Sequence, residues 1–157
     1  MQTRQIKALS AEQIADLKAG REMGLAMAAE LNGYPGPAHV LELADKLELK
    51  PEQKSEVQKM LNAMKGEAIP IGEQLIAAEA ELDRGFAAGT MTESQLQDQV
   101  QAIARLQGEL RFTHLKYHLG MTELLTPEQV AHYNELRGYT GHADMPSAMP
   151  PGHMHQH

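Results

Sequence analysis

The fold is decided by two stretches of the chain that share one spacing. Residues 52–84 read EQKSEVQKMLNAMKGEAIPIGEQLIAAEAELDR, and residues 93–120 read ESQLQDQVQAIARLQGELRFTHLKYHLG. In each stretch the residues of one face recur alternately four and three positions apart, which is typical of an α-helix packed along a second helix. These positions are Val57, Leu61, Met64, Ala68, Ile71, Leu75, Ala78 and Leu82, then Leu96, Val100, Ile103, Gln107, Leu110, His114, Tyr117 and Met121. The sequence therefore predicts an all-α fold built on a long helical hairpin.

One register of this hairpin aligns all of these seam positions. The short, glycine-containing segment 84–91 makes the two helices antiparallel neighbours. Folding the chain about the middle of that segment places Leu82 opposite Leu96 and Met64 opposite His114. The register thus predicts which side chains meet between the helices.

A hairpin of this length cannot bury its own apolar faces. At about 1.5 Å per residue the longer helix reaches about 50 Å. Covering it requires the first helix, the last helix or a second copy of the chain, and we expect a homodimer. Pro70 lies inside the longer helix, where it removes one backbone hydrogen bond and crowds the preceding turn, so it predicts a bend but not a break.

Capping signals mark where the helices begin. In a capping box, a hydroxyl residue is followed three positions later by Gln, and each side chain bonds the backbone N–H of the other residue. This pattern begins at Ser10, Thr92 and Thr126. Lys50 begins the same pattern without a hydroxyl. With the breaks at 32–37 and Gly138, these signals predict helices at 11–31, 38–47, 52–84, 93–120 and 127–137. We divide the chain into an N-terminal helical segment (1–37), a helical hairpin domain (38–138) and a disordered tail (139–157).

The composition narrows the class of protein. The 157 residues include 14 Lys and Arg against 21 Asp and Glu, and the net charge of −7 argues against a nucleic-acid binder. There is no cysteine, and a methionine and histidine ligand set without thiols suits an oxidising compartment, so we expect a periplasmic protein. Without a cysteine nucleophile, a glycine-rich phosphate loop or an HExxH motif, we expect no enzyme.

The tail is rich in histidine, methionine and proline. Residues 138–157 read GYTGHADMPSAMPPGHMHQH, in which Asp144 is the only acidic or basic residue apart from histidine. Imidazole and thioether groups suit copper or silver ions. The candidate ligands are His142, Met145, Met149, His153, Met154, His155 and His157. The alternative is a histidine-rich end that holds no metal.

A second candidate metal site lies on the helix predicted at 93–120. His114 and His118 are four residues apart, so that both imidazoles lie on one face and can reach one ion. The hairpin register adds the thioether of Met64 across the seam. This ligand set is compatible with copper and with zinc. The alternative is that His114 is a buried structural histidine. The methionine pairs Met23/Met27 and Met60/Met64, each four residues apart, are expected to fill the core.

The segments Leu49-Lys50-Pro51-Glu52-Gln53 and Leu125-Thr126-Pro127-Glu128-Gln129 resemble the paired LTxxQ motifs of the Spy/CpxP family. These are small periplasmic helical proteins, and their relatives include the zinc-resistance-associated protein and CnrX-type sensors of cobalt and nickel. The similarity covers about residues 38–138, with Lys50 where Thr or Ser is usual. It implies a hook-shaped chain in an antiparallel homodimer with a concave face. CnrX-type sensors place a methionine four residues after a histidine ligand, whereas Met121 follows His118 by three.

Two functions are compatible with these features. The first is a periplasmic metal-binding protein in metal resistance or sensing, with copper or silver as the expected ion and zinc, nickel or cobalt as alternatives. The second, implied by the resemblance, is an ATP-independent chaperone that holds unfolded proteins on its concave face. A third, weaker interpretation is a partner that restrains a membrane signalling protein.

Overall fold

The computed structural model describes residues 4–139, and this part of the chain contains α-helices and no strand. The helices are α1 (Ala11–Ala19), α2 (Met27–Glu30), α3 (Pro37–Glu42), α4 (Pro51–Ala88), α5 (Glu93–Leu124) and α6 (Pro127–Leu136). The predicted all-α class is confirmed, and α4 and α5 pack along each other as the long hairpin. Helices α1 and α3 pack against α4.

The prediction of one helix over residues 11–31 is wrong. Helix α1 ends at Ala19 because Gly20 adopts a left-handed φ of 72°, and the N–H of Arg21 closes the turn on the carbonyl of Asp16. The chain returns to helix only for the single turn of α2. The helix predicted at 38–47 is also shorter, because α3 ends at Glu42 and the chain continues in turns.

The two hairpin helices are longer than predicted. Helix α4 continues through Gly85 to Ala88, where Gly89 takes the left-handed cap with φ 70°, and α5 continues to Leu124. A glycine inside a long helix costs only about 1 kcal/mol, so Gly85 does not end α4. Pro70 lies inside α4 without interrupting it, which confirms that this proline does not break the helix.

The predicted seam residues are buried or half-buried along α4, whereas on α5 the buried face includes other residues than the predicted ones. Leu106 and His118 are buried on α5, whereas the seam positions Val100 and Gln107 are exposed. An α-helix has 3.6 residues per turn, so a face defined by strict steps of three and four rotates away from a straight partner. Ile103, Leu110, His114 and Met121 remain buried as predicted.

Two apolar clusters form the core of the described residues. The first joins α1 to the middle of the hairpin, and the second joins α3 and α6 to its open end. Their buried members are Leu17, Ala68, Leu75, Ile103, Leu106 and Leu110 in the first, and Val40, Leu47, Val57, Met121, Leu125 and Tyr133 in the second. Gly72 lets α1 approach α4, because a Cβ at this position would lie 2.7 Å from the carbonyl oxygen of Leu17.

The two LxPEQ segments, residues 49–53 and 125–129, contact each other at the open end of the hairpin. Nε2 of Gln53 donates to Oε1 of Gln129 at 2.8 Å, and Nε2 of Gln129 donates back to Oε1 of Gln53 at 3.0 Å. Each Oε1 also accepts the backbone N–H at its own helix start, from Lys50 at 2.9 Å and from Thr126 at 3.0 Å. The capping pattern therefore joins the start of α4 to the start of α6.

Candidate functional site

His118 is the centre of a buried polar cluster beneath the N-terminal segment. Its imidazole is fully buried, with Nδ1 2.8 Å from the carbonyl oxygen of Tyr34 and Nε2 2.8 Å from Oε2 of Glu22. A carbonyl and a carboxylate can only accept, so both ring nitrogens donate and His118 is an imidazolium. The ring packs on Gly36, where a Cβ would lie 2.8 Å from Cε1 of His118.

The charges of this cluster stabilise one another. Burial lowers the pKa of His118, but the hydrogen bonds to Glu22 and Tyr34 and the charges of Glu22 and Glu30 outweigh it, so the pKa is raised. Burial raises the pKa of Glu22, but the hydrogen bond and charge of His118 outweigh it, so that pKa is lowered. The side chain of Glu22 is 30% exposed, and it connects the buried imidazolium with solvent.

Glu30, at the end of α2, is a second buried carboxylate beside His118. Its Oε2 accepts a hydrogen bond from the hydroxyl of Tyr133 on α6, and its Oε1 lies 3.7 Å from Nδ1 of His118. Nε of Arg137 lies 3.8 Å from Oε2 of Glu30. Burial and the Glu30 carboxylate raise the pKa of Tyr133. The cluster therefore ties α2, α5 and α6 together through one buried charge.

His114 lies one turn before His118 and is also fully buried. Neither of its ring nitrogens has a hydrogen-bond partner in the described part of the protein. Burial lowers the pKa of His114, the charge of Glu22 raises it and the charge of His118 lowers it again, and the net shift is downward. His114 is therefore a neutral imidazole with two unused nitrogens beside a charged histidine and carboxylate.

The predicted ligands of the hairpin site are only partly brought together. Met64 on α4 and His114 on α5 are both buried. His118, however, uses both nitrogens for Tyr34 and Glu22. Across residues 4–139, no three His, Asp or Glu side chains are arranged around a common metal position. The candidate ligands of the tail (His142, Met145, Met149, His153, Met154, His155 and His157) lie outside the described residues.

Other chemically active side chains take structural or surface positions. His39 is half-buried and His132 is exposed, and they lie near Glu42 and Glu135, one turn along their own helices. Met60 is partly buried, with its methyl group against Gly120, as expected of a residue that fills the core.

An exposed apolar groove lies between α2 and α5. The α2–α5 groove has a volume of about 320 Å³ and is lined by Ala28, Ala29, Tyr34, Phe112, Leu115, Lys116 and Leu119. Phe112 is 63% exposed and Leu119 57% exposed. Lys116 is held at the groove by an ion pair of 2.7 Å with Glu67. Met23 and Met27 are exposed as well, so the expectation that this methionine pair fills the core is wrong.

Sequence reasoning missed Glu22, Glu30 and Tyr133 as members of the cluster. The predicted helix over residues 11–31 places Glu22 and Glu30 on a helix surface, where acidic residues are usually solvated. Only the turn at Gly20 and the short α2 direct these two carboxylates toward α5. One residue in the sequence could have indicated this cluster. Gly36 lies directly before Pro37, and a glycine often marks a position where another group approaches the backbone closely.

These features define a helical-hairpin protein with two capping motifs in contact at its open end and a buried histidine and glutamate cluster on α5. Residues 24–132 match the family described as heavy-metal resistance. The chain belongs to this family and is a metal-resistance-related protein, which confirms the resemblance based on the two LxPEQ segments. No curated protein and no solved structure gives a significant match. No helix among residues 4–139 has both the length and the apolar character needed to cross a lipid bilayer.

Proposed function

We propose that this protein binds copper or silver ions in metal resistance or sensing, with His114 and His118 as one site and the tail as a second. The observation that supports the helical site is the state of His114. A buried polar group without a hydrogen-bond partner costs about 1–3 kcal/mol of folding free energy. A core histidine with two unused ring nitrogens is therefore expected to bind a ligand. The family match to heavy-metal resistance supports a metal ion as that ligand.

The chemistry of the cluster determines how an ion enters the helical site. His118 is protonated on both nitrogens, so an ion must displace the Nε2 proton before this nitrogen can coordinate. The Glu22 carboxylate then loses its hydrogen bond and becomes available as an oxygen donor. Two imidazoles and a carboxylate favour copper(II) or zinc, and the thioether of Met64 adds a soft donor for copper(I).

The tail offers a different ligand set. Its methionine sulfurs suit silver and copper(I), and its histidines suit copper(II). Ordering these residues costs chain entropy, so we expect several weak ions at the tail and one tighter ion at the helical pair. Protons compete at imidazole near pH 6.5 but hardly at thioether. Copper(II) binding should therefore weaken in mild acid, while silver binding to methionine persists.

Titration calorimetry of the full chain with copper(II) and with silver tests this proposal. The helical site is removed by His114→Leu, and the tail site by Met145→Ser with Met149→Ser. His132→Ala is the matched control, because it removes an exposed histidine whose ring lies beside Glu135 and outside the His118 cluster. The helical site is refuted if His114→Leu retains the tightest class of copper(II) ion. The tail site is refuted if the double methionine variant binds as much silver as wild type.

The α2–α5 groove supports the alternative function, an ATP-independent chaperone. Phe112 and Leu119 offer apolar surface beside Lys116, and exposed methionines such as Met27 adapt to varied partners. Phe112→Ser should then weaken the suppression of aggregation of an unfolded client. Phe86→Ser is the matched control, because Phe86 is 58% exposed at the far end of the hairpin.

The remaining proposals concern assembly and setting. We propose a homodimer, supported by the exposed apolar side chains of Val100, Phe112 and Leu119 along α5. Light scattering at micromolar concentration checks this, and a monomeric mass contradicts it.

We also propose that the protein binds its ligands without catalysing a reaction. We propose that it is periplasmic, which the absence of cysteine supports.

A further inference from the structure

The described chain ends near α2, which forms one wall of the α2–α5 groove. Nε of Arg137, just after α6, lies 3.8 Å from Oε2 of Glu30, and Ala29, the residue before Glu30, lines the groove. Met145 is the sixth residue after Tyr139, and an extended chain of this length spans about 20 Å. The methionines of the tail therefore start within reach of Phe112 and Leu119.

The tail and the groove are chemically complementary. Residues 144–151 read DMPSAMPP, which combines two methionines and three prolines with one charged residue, Asp144. The groove is apolar, contains the rings of Tyr34 and Phe112, and has one cation, Lys116. Thioethers pack favourably against aromatic rings, and proline-rich segments bind in aromatic-lined grooves.

We propose that residues 144–151 of this chain occupy the α2–α5 groove and that a soft metal ion releases them. The same two sulfur atoms, of Met145 and Met149, cannot contact Phe112 and coordinate silver at once. Docking and metal binding are therefore coupled: the ion uncovers the groove, and groove contacts weaken the ion's affinity by the same factor. The release step rests on the proposed metal binding by the tail, whereas the docking step does not.

Docking within one chain needs little contact energy. The tether holds the tail at a millimolar effective concentration near the groove, so weak contacts suffice to cover most of it. A second molecule, whether an unfolded protein or another copy of the chain, must compete with the tail for Phe112 and Leu119. Metal exposure would then make this surface available when the cell contains soft metal ions.

Methyl NMR of the full chain, labelled at the methionine methyl carbons, tests the docking step. The rings of Phe112 and Tyr34 should shift the Met145 and Met149 signals away from their positions in an unstructured peptide. Phe112→Ser and Leu119→Ser, both at exposed positions, should each move these signals to the peptide positions. Phe86→Ser should leave them unchanged. Docking is refuted if the two signals already have peptide positions in wild type, or if Phe112→Ser does not move them.

Addition of silver nitrate in chloride-free buffer tests the release step. After silver binds, the Met145 and Met149 signals should be the same in wild type and in Phe112→Ser, because the methionines have left the groove. If silver shifts the signals but they still respond to Phe112→Ser, release is refuted while metal binding stands. If silver shifts neither signal, metal binding by the tail fails and release fails with it, whereas the comparison without silver still decides docking.

Discussion

Nε2 of His118 lies 2.8 Å from Oε2 of Glu22, although 96 residues separate them in the chain. This contact joins the segment after α1 to the inner face of α5. Because the other ring nitrogen also meets an acceptor, the carbonyl of Tyr34, the pair exists as an imidazolium and a carboxylate. Protonation of His118 and metal binding at His118 therefore exclude each other.

The first prediction concerns the pH dependence of stability. The pKa of His118 is raised above 6.5 in the fold, so its stabilisation is fully present below pH 6.5 and is lost as the pH rises through the folded value. The pKa of Glu22 is lowered below 4.5, so its stabilisation is lost as the pH falls through that lower value. The difference in unfolding free energy between wild type and His118→Gln should be largest from pH 4.5 to 6.5. Denaturant unfolding across this range checks it, and a difference that grows in alkali contradicts it.

The second prediction concerns the buried charge of Glu30. His118→Ala removes the nearest cation and leaves Glu30 buried with Tyr133 and Arg137 as its remaining partners. We expect a loss of about 2–4 kcal/mol in the free energy of unfolding. His132→Ala, at an exposed position, should change it by less than about 0.5 kcal/mol. Equal effects of the two substitutions would show that the His118 cluster contributes nothing to stability.

The third prediction separates metal binding from stability at His114. His114→Leu replaces two unpartnered ring nitrogens by apolar atoms of similar volume, so the metal-free protein should become more stable by about 1 kcal/mol. The same substitution should abolish the tightest copper(II) class and the stabilisation that copper(II) gives to wild type. Thermal unfolding with and without copper(II) measures both effects. A less stable metal-free variant would indicate that His114 has an unrecognised structural partner.

The fourth prediction concerns the reciprocal amide pair. In each of the variants Gln53→Leu and Gln129→Leu the remaining amide loses its partner glutamine. Its Nε2 then keeps only a longer contact, from Gln53 to the Leu124 carbonyl at 3.5 Å or from Gln129 to the Leu47 carbonyl at 3.4 Å. We expect each single substitution to cost about 1–2 kcal/mol, and the double substitution to cost less than the sum. A double-mutant cycle by chemical denaturation measures the coupling. Additive effects would mean that the two amides act separately, each only as a cap of its own helix.

The fifth prediction compares two glycines of helix α4. Gly66 has no neighbouring atom within 4 Å of an added Cβ, whereas at Gly72 the Cβ would lie 2.7 Å from the carbonyl oxygen of Leu17. Gly66→Ala should therefore stabilise the protein by up to about 1 kcal/mol through helix propensity. Gly72→Ala should push α1 away from α4 and cost about 1–3 kcal/mol. Melting temperatures of the two variants that shift in the same direction would contradict the close packing of α1.

Local signals in the sequence were sufficient for the helices that cap themselves. Ser10, Thr92 and Thr126 start helices as predicted, because each hydroxyl and its glutamine lie within one turn of chain. The prediction failed at residues 11–31, where Gly20 ends α1. A glycine can occupy a helix interior, as Gly66 does, or end the helix, and only the packing around it decides between these outcomes.

By itself, the sequence determined that this protein is an all-α hairpin, because a period close to four and three residues buries one face of each long helix. It also identified His114 and His118 as neighbours, because four residues are one helical turn. The tertiary structure alone decided that the pKa of His118 is raised and the pKa of His114 is lowered. That difference depends on Glu22 and the Tyr34 carbonyl, which reach one imidazole and not the other. Contacts between residues so distant in the chain leave no periodic pattern in the sequence.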